Sequence, residues 1–517
     1  MPGPDSCPVP ILANMANLDL SPSEPQGDYK PPSSILIVGS GVFGMSTALS
    51  LAQDPLFAST TMTVLDRSPE PGVFPARDAS SIDSSRIIRA DYADPAYASL
   101  ASLANTYWYD CSSPDALGSE GRFSKSGLLL AADAGDGSVT RADGHATGLG
   151  YAKKSWVNAL ALAQSEGRPS SSVKMLGSPN EIARVSGTGG EWADWGYLNE
   201  ASGWADAEAC MDWLYRQVQK QPKHVEFVNG AAESFLTEGE GSKQRVTGVQ
   251  LSSGSKIEAE LVITATGAWT PSLLDLRTQA IATGQVIAYM KITQEEEEKL
   301  KNIPVCLNLT QGCFIIPPRN GVLKIARHGY GYLNPKPTKS TPLGDCRSPK
   351  PTSQPQARTI SQPWTHLDNP DLEIPAEGLA DLRRALRKLV PLPSMADRPF
   401  FKTRLCWYTD TPTGDWIIDY HPSYNGSLFV ATGGSGHGFK FLPVLGGKIV
   451  QCLKGQCPAE FQKKWAWKGQ EKGLSDEGAM GVEGAMGVEK TIATEDGSRG
   501  SRPGMILQDE MARVAKL

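Results

Sequence analysis

Apolar and polar positions divide the chain into a structured middle and two polar ends. A short apolar run, SILIV at residues 34–38, leads directly into the turn GSGVFG at residues 39–44 and then into a helical pattern that reaches Leu51. Further apolar runs of strand length alternate with helical patterns such as ADAEACMDWLYRQ at residues 205–217. This alternation predicts strands connected by helices, and therefore an α/β fold.

The polar stretches lie at both ends and once in the interior. Residues 1–32 are rich in Pro, Ser, Asp and Gly, which predicts a flexible N-terminal arm. Residues 335–362 have a similar composition and are expected to form a long surface loop. The direct repeat EGAMGVEGAMGVE carries no helical or strand stripe, so residues 463–517 are interpreted as a low-complexity, disordered C-terminal tail.

Composition and charge argue against several classes of partner. The 517 residues carry a net charge of −6, and the sequence pI is about 5.7. No basic stripe for a phosphate backbone is visible, so nucleic acid is not an expected partner. No apolar run approaches the ~20 residues of a spanning helix, so no membrane is expected either. The N-terminus lacks a charged leader followed by an apolar stretch, which predicts an intracellular protein.

The nine cysteines are scattered along the chain without C-x-x-C pairs or dense spacing. This pattern is typical of buried core thiols and not of a disulfide scaffold or a metal centre. No metal site is therefore expected.

The strongest local motif is the strand, glycine-rich turn and helix at residues 34–51. Its G-x-G-x-x-G glycines allow the backbone to approach a pyrophosphate at the helix N-terminus. A second strand-like run at residues 61–65 ends at Asp66, where an acidic residue accepts hydrogen bonds from a ribose hydroxyl. The alternative is that the glycines only permit close helix packing and that Asp66 caps a turn. Together these features predict a bound dinucleotide.

Motif order alone does not separate FAD from NAD. The segment LVITATGAW at residues 261–269, a strand that ends in an A-T-G turn, is similar to the corresponding part of two-part flavin-binding folds. That likeness favours FAD.

Three further motifs carry a family resemblance: DSSRIIR at residues 83–89, CWYT at 406–409 and SGHGFKF at 435–441. With the nucleotide motif, they resemble the sarcosine oxidase family of D-amino-acid-oxidase-like flavoproteins over roughly residues 33–455. The sequence looks closest to larger fungal members that oxidise pipecolate, saccharopine or related N-substituted amino acids. It is more distantly similar to fructosyl amino acid oxidases.

The resemblance implies a fold of two interleaved domains. A Rossmann-like FAD-binding domain is expected from the discontinuous segments 33–125, 200–278 and 405–462. A substrate domain built on a mixed, largely antiparallel β-sheet is expected from segments 126–199 and 279–404.

The resemblance also implies which residues hold the cofactor. Cys406 is the residue expected to join the flavin 8α-methyl group through a thioether, with a buried structural thiol as the alternative. The turn at residues 433–438 is expected to lead into a helix whose N–H groups face the flavin pyrimidine edge. The residues expected to contact FAD are Gly39, Gly41, Val42, Phe43, Gly44, Asp66, Arg67, Ser85, Arg86, Thr266, Gly267, Trp269, Cys406, Gly436, His437, Gly438 and Lys440.

A smaller set is expected to act on the substrate. By resemblance, Arg89 and Lys440 bind the substrate carboxylate, and Arg86 belongs to the same R-I-I-R motif. The alternative for Arg86 and Arg89 is a pair of surface ion pairs.

Three more residues complete the expected catalytic set. Lys324 is expected near flavin N5, where a cation assists electron transfer to oxygen. His328 and Tyr408 are expected on the substrate side of the flavin, with ordinary packing as their alternative role.

These expectations define a reaction. An FAD-dependent oxidase of this type oxidises the C–N bond of a secondary amine or N-substituted amino acid to an imine, and O₂ is reduced to H₂O₂. Relatives that act on small N-methyl amino acids carry His-His where this chain has Ser81-Ile82, so sarcosine itself is not the expected substrate.

Four alternatives stay open at this point. They are a deglycating fructosyl amino acid oxidase, a biosynthetic oxidase that closes a ring through an imine, a flavin-binding protein without turnover, and a pyridine-nucleotide dehydrogenase.

The last three residues, Ala515-Lys516-Leu517, are a close variant of the S-K-L peroxisomal address. They predict recognition by the peroxisomal import receptor and a peroxisomal location, which suits an enzyme that makes peroxide. The alternative is a chance ending and a cytoplasmic protein.

Overall fold

The glycine-rich motif starts a sheet of six strands, here called the first sheet. A computed structural model describes residues 29–338, 343, 359–468 and 492–513. The order across the first sheet is Ile417–Tyr420, Leu428–Thr432, Leu261–Thr264, Ser34–Val38, Thr61–Asp66 and Val225–Asn229. All neighbours pair in parallel except the edge strand Ile417–Tyr420, which is antiparallel.

The parallel strands are buried because helices cover the sheet. Helix Val42–Gln53 follows directly from the glycine turn and packs against helices Ala207–Gln219 and Leu442–Leu453. A Cβ atom at Gly446 would lie 1.9 Å from the Ser46 carbonyl oxygen, so only glycine allows this approach between helices. The close packing holds the turn of residues 39–44 at the carboxyl edge of the sheet.

A second, larger sheet supplies most of the remaining core. Its strand order is Met505–Ile506, Tyr332–Leu333, Ile281–Lys291, Val322–Arg327, Cys313–Arg319, Val305–Asn308, Leu128–Ala132, Trp195–Asn199 and Val173–Leu176, and Lys402–Asp410 also pairs with Ile281–Lys291. The pairings are antiparallel except for Val305–Asn308 with Leu128–Ala132 and Tyr332–Leu333 with Met505–Ile506.

The strand Lys402–Asp410 shows how this sheet serves the site. Successive side chains of a strand point to opposite faces. Leu405 and Trp407 pack into the core beneath the sheet, whereas Cys406 and Tyr408 belong to a separate cluster on the other face. Gln285 pairs with Cys406 in this register.

Smaller elements complete the described fold. Three short sheets are formed by Ala232–Glu238, Arg245–Leu251 and Lys256–Glu258; by Arg86–Ile88, Gly203–Ala205 and Phe123–Ser124; and by Pro335–Pro337 and Thr359–Ser361. The other α-helices are Pro95–Trp108, Gly148–Ser165, Pro179–Ser186, Thr270–Leu273, Gln294–Leu300, Ala376–Leu389, Ala459–Trp465 and Leu507–Ala512. Short 3₁₀ helices are Pro55–Phe57, Ser170–Ser172, Gly241–Lys243, Gly267–Trp269, Pro393–Met395 and Phe439–Phe441.

The C-terminal region departs from the sequence expectation of a disordered tail. Residues 492–513 belong to the fold: strand Met505–Ile506 joins the second sheet and Leu507 is fully buried. The repeat that suggested disorder ends before residue 492, and the residues after it carry enough apolar surface to pack. The repeat itself and Ala515 to Leu517 lie outside the described residues.

The α/β fold class and the mixed, largely antiparallel second sheet are confirmed. The boundaries of the two interleaved domains stay predictions, and residues 1–28 of the predicted arm lie outside the described residues. None of the helices within the described ranges is long and apolar enough to cross a membrane.

Candidate active site in two adjoining cavities

A cavity of about 430 Å³ opens at the carboxyl ends of the first-sheet strands. This is the edge at which open α/β sheets bind ligands. Twelve of the predicted cofactor residues line it: Gly39, Gly41, Val42, Phe43, Asp66, Arg67, Arg86, Thr266, Gly267, Trp269, Gly436 and Gly438.

The glycines of the turn have no side chains that would separate their backbone N–H groups from this cavity. Gly39 has a φ of 101°, and a Cβ atom there would lie 2.5 Å from the Ala265 carbonyl oxygen. At Gly41, the N-cap of helix Val42–Gln53, there is no side-chain cap hydrogen bond to the first N–H groups of the helix from the described residues. Free N–H groups and the positive end of a helix dipole suit a pyrophosphate.

Asp66 is fixed at the end of its strand where a ribose would be recognised. Its Oδ2 accepts a hydrogen bond from Ser40 N at 2.9 Å, and its Oδ1 accepts one from Arg67 N at 2.6 Å. The Arg67 guanidinium lies 4.2 Å from the ring centre of Trp269, and both residues line the cavity. The residues present therefore fit a dinucleotide cofactor.

Five predicted cofactor residues do not line this cavity. Gly44 packs beneath the turn, where a Cβ atom would lie 1.8 Å from the Gly39 carbonyl oxygen. His437 lines a second cavity. Ser85, Cys406 and Lys440 are buried and line neither cavity.

Cys406 is held next to the R-I-I-R segment. Arg86 Nη2 lies 3.6 Å from Cys406 Sγ. The same guanidinium donates to the Ser80 carbonyl and pairs with the Asp83 carboxylate. Arg86 is therefore an internally bonded residue at the cavity wall and not part of a surface ion pair.

A buried charge cluster lies behind Arg86. Lys324 Nζ donates to Asp83 Oδ2 and to the Ser85 carbonyl oxygen, both at 2.7 Å, and Tyr289 also donates to Asp83 at 2.5 Å. Burial opposes ionisation of Asp83, but the surrounding cations hold its pKa well below the usual value. Burial also lowers the pKa of Lys324 to about 8.

A second cavity of about 390 Å³ lies on the other side of the turn at residues 433–438. Gly434, Gly436 and Gly438 line the first cavity, whereas Ser435 and His437 line the second. Gly436 has a φ of 69°, and a Cβ atom there would meet the Tyr408 ring at 2.3 Å. The turn is thus a shared wall, and it leads into helix Leu442–Leu453 as predicted.

Two predicted carboxylate-binding residues meet around Tyr92 at this second cavity. Arg89 lines the cavity, is buried, and lies 4.9 Å from the Tyr92 ring centre. Its Nη1 has no hydrogen-bond partner among the described residues. Lys440 Nζ donates to Tyr92 Oη and to the His437 carbonyl oxygen, both at 2.9 Å. Burial and the Arg89 charge hold the pKa of Lys440 well below its usual value, so Arg89 is the stronger anion ligand.

His328 and Tyr408 lie at the boundary between the cavities. His328 lines the second cavity and Tyr408 the first, with 5.8 Å between their ring centres. Burial and nearby arginines hold the pKa of His328 well below its usual value, and burial raises the pKa of Tyr408. Both side chains are therefore neutral near pH 7.

Sequence reasoning missed several residues of the second cavity. Tyr92 follows Arg89 by three residues, but nothing in the sequence marks it as a wall residue. Tyr151 comes from a distant helix, and Asp496 and Arg499 come from the region interpreted as a tail. No group of three potential metal ligands occurs within the described part of the chain.

The glycine cradle with a cationic cavity beside it is the arrangement of a dinucleotide-dependent oxidoreductase. The chain belongs to the DAO family of FAD-dependent oxidoreductases, which it matches over residues 34–452. It is 33% identical to the amino acid oxidase imqH of Aspergillus flavus, over 85% of this chain and 98% of that protein. It is 27% identical to the L-saccharopine oxidase of Schizosaccharomyces pombe, over 85% of this chain and 94% of that one.

Solved structures give the same fold. A fructosyl peptide oxidase from E. terrenum superimposes with a TM-score of 0.71 at 22% identity, covering 93% of this chain and 98% of that one. The comparisons confirm the predicted family, the Rossmann-like FAD-binding fold and an FAD-dependent amine oxidase. The individual site residues stay predictions.

Proposed function

We propose that the protein oxidises the C–N bond of a secondary amine or N-substituted amino acid to an imine and reduces O₂ to H₂O₂. The observation that carries this proposal is the buried Arg89 guanidinium, which lines the second cavity with one nitrogen unpartnered among the described residues. A carboxylate supplies the charge and the planar acceptor pair that such a guanidinium binds. The relatives named as amino acid and saccharopine oxidases agree with this substrate class.

Bound FAD would supply a two-electron acceptor, which no side chain provides. Within this chain, Arg89 orients the substrate by its carboxylate, and the neutral His328 imidazole offers an acceptor for an amine N–H. The Tyr408 ring and the Gly436 backbone in contact with it keep the reacting end in a defined position.

Lys324 suits the oxygen half of the reaction. With a pKa of about 8, it is largely protonated at neutral pH and its charge stabilises negative charge that develops on oxygen. Asp83 and the Ser85 carbonyl fix its ammonium group without help from solvent.

The test is peroxide release from a panel of amines. N-Methyl amino acids, cyclic secondary amino acids and N-carboxyalkyl amino acids should give H₂O₂, whereas the matched amines without a carboxylate should react far less. A protein that contains FAD but releases no peroxide from any secondary amine would contradict the proposal.

A deglycating activity is the second candidate. Thr413, Ser435, Thr494 and Ser498 line the second cavity, and residues that carry hydroxyl groups suit a polyhydroxylated substituent on the amine. Fructosyl glycine belongs in the same panel, and a preference for it over N-methylglycine and pipecolate would favour this candidate.

We also propose that Cys406 carries the cofactor through a thioether. Its buried thiol contacts Arg86, a residue of the cofactor cavity, which supports the assignment. Forming the S–C bond would replace the thiol S–H bond and one C–H bond of the 8α-methyl group, and the two electrons and two protons released would reduce O₂ to H₂O₂. Acid precipitation should leave a yellow pellet for the wild type and release the flavin from Cys406→Ser; release from the wild type would contradict the linkage.

The proposed location is the peroxisome, through Ala515-Lys516-Leu517. A fluorescent fusion at the N-terminus should enter peroxisomes and should stay in the cytosol when these three residues are deleted. Equal distribution of both fusions would remove the proposal.

A further inference from the structure

Residues 494–500 lie beside the second cavity. Thr494, Asp496, Ser498 and Arg499 line that cavity, although they follow the catalytic motifs by more than fifty residues. They lie among the residues of the proposed substrate site, but the proposed function gives them no role.

Arg499 bonds two parts of the site at once. Its guanidinium is 1% exposed, and Nη2 donates to Asp410 Oδ1 at 2.6 Å and to the Ser435 carbonyl oxygen at 2.8 Å. Asp410 ends the strand that carries Tyr408, and Ser435 belongs to the wall between the cavities. Arg499 Cζ also lies 5.5 Å from the centre of the Tyr408 ring.

The next residue fixes His328. Gly500 N donates to the His328 carbonyl oxygen at 3.1 Å, and Tyr330 N donates to the Gly500 carbonyl oxygen at 3.1 Å. A Cβ atom at Gly500 would lie 2.1 Å from the Gln311 carbonyl carbon, so this backbone contact has no room for a side chain. Residues 499 and 500 therefore hold both residues that flank the boundary between the cavities.

Anchoring of the C-terminal region does not require Arg499. Strand Met505–Ile506 pairs with Tyr332–Leu333, and Leu507 is fully buried in the core of the second sheet. A buried ion pair costs desolvation and is weak evidence for stability. The contacts of Arg499 with Asp410 and Ser435 are therefore additional to those that hold the C-terminal region in place.

We propose that residues 494–500 form a wall of the substrate cavity and that Arg499 is a positioning residue, which sets Tyr408 and the Ser435 turn in the geometry that selects the substrate. This inference rests on the proposed amine oxidation. A planar guanidinium satisfies two acceptors in fixed directions, whereas a lysine supplies a point charge.

The experiment compares Arg499→Ala and Arg499→Lys with the control Arg502→Ala in the flavin-loaded full-length enzyme. Arg502 follows three residues later but is 63% exposed and pairs with Glu510. For the best substrate of the amine panel, Arg499→Ala should raise KM by about tenfold or more and change the ranking of substrates, since small displacements of positioned groups are costly. Arg499→Lys should lie between it and the wild type, and Arg502→Ala should match the wild type.

Two outcomes of these kinetic measurements would overturn the proposal. One is an unchanged KM and substrate ranking in both Arg499 variants. The other is a lower folded fraction or unfolding temperature with unchanged KM in the folded protein, which indicates an anchor only. If Arg499→Ala does not fold, Arg499→Lys decides by the same criteria.

Titration with benzoate separates this inference from the proposed function. Benzoate carries a carboxylate and no oxidisable amine, and its binding is followed by the visible absorbance of the bound flavin. Weaker benzoate binding in Arg499→Ala, with binding in Arg502→Ala unchanged, would support the proposed role of residues 494–500 in the substrate cavity even if no amine yields peroxide. Equal binding in all variants would overturn it.

Discussion

Two buried cationic clusters border the cavities, and they differ in how their charge is balanced. Lys324 and Arg86 share the Asp83 carboxylate, so that cluster contains its own counter-ion. Arg89 and Lys440 meet around Tyr92, and within the described residues neither forms a direct ion pair, although the buried Asp91 lies near enough to attract both. A buried cation without a directly paired counter-ion is expensive unless a ligand supplies one. The balanced cluster suits a permanent electrostatic role, and the unbalanced one suits anion binding.

The largest expected effect comes from the balanced cluster. Lys324→Met removes the charge proposed to act on oxygen, so O₂ oxidation of the reduced enzyme should slow by about 10²–10³-fold. Anaerobic reduction by substrate should change far less, because the proposed role of Lys324 is confined to the oxygen step and Lys324 does not line the substrate cavity. Stopped-flow measurement of the two half-reactions tests this. An equal loss of rate in both would show that Lys324 does not act on the oxygen half-reaction alone.

The unbalanced cluster should govern substrate binding. Arg89→Ala removes the charged partner of the carboxylate, which should raise KM by about 100-fold. Arg89→Lys should recover part of the loss. The matched control is an amine without a carboxylate: its kcat/KM should be nearly the same in wild type and variant, and a 100-fold loss for it too would remove Arg89 from carboxylate binding.

The pKa of Lys324 allows a pH test of its proposed role in the oxygen half-reaction. Below its pKa of about 8 the lysine is protonated, and above it the charge is lost. The oxygen half-reaction should therefore decline by up to about tenfold per pH unit above that value. The rate for Lys324→Met should be independent of pH in this range; a matching decline in the variant would assign the titration to another group.

The smallest effect should come from Lys440. Burial and Arg89 hold its pKa well below the usual value, so it keeps its proton less firmly than Arg89 and should contribute less to anion binding. Lys440→Met should raise KM for carboxylate substrates by only about two- to fivefold, the scale of one neutral hydrogen bond. A loss as large as that of Arg89→Ala would show that both cations bind the carboxylate equally.

The part of the site built from backbone was predictable. The strand of residues 34–38, the turn of residues 39–44 and Asp66 are local in sequence, and each residue type there meets a steric or hydrogen-bonding demand of the same segment. The helix at residues 207–219 and the turn before helix Leu442–Leu453 also appear where the pattern placed them.

The part built from distant side chains was less predictable. Arg89 and His328 were singled out by resemblance, but Tyr92, Tyr151 and Arg499 carry no local signal and meet only through tertiary packing. Arg499 was also hidden by composition, because the preceding repeat suggested disorder for everything after it. Low complexity in one segment gives no information about the residues that follow it.

The shared wall at residues 433–438 has an evolutionary consequence. Since Ser435 and His437 line one cavity while the glycines that alternate with them line the other, a substitution that reshapes substrate recognition here also moves the surroundings of the cofactor. A substitution in this turn is therefore expected to change both substrate specificity and the redox properties of the cofactor. New substrate ranges in this lineage should therefore arise from walls of the second cavity that bond neither to this turn nor to Tyr408, unlike Arg499.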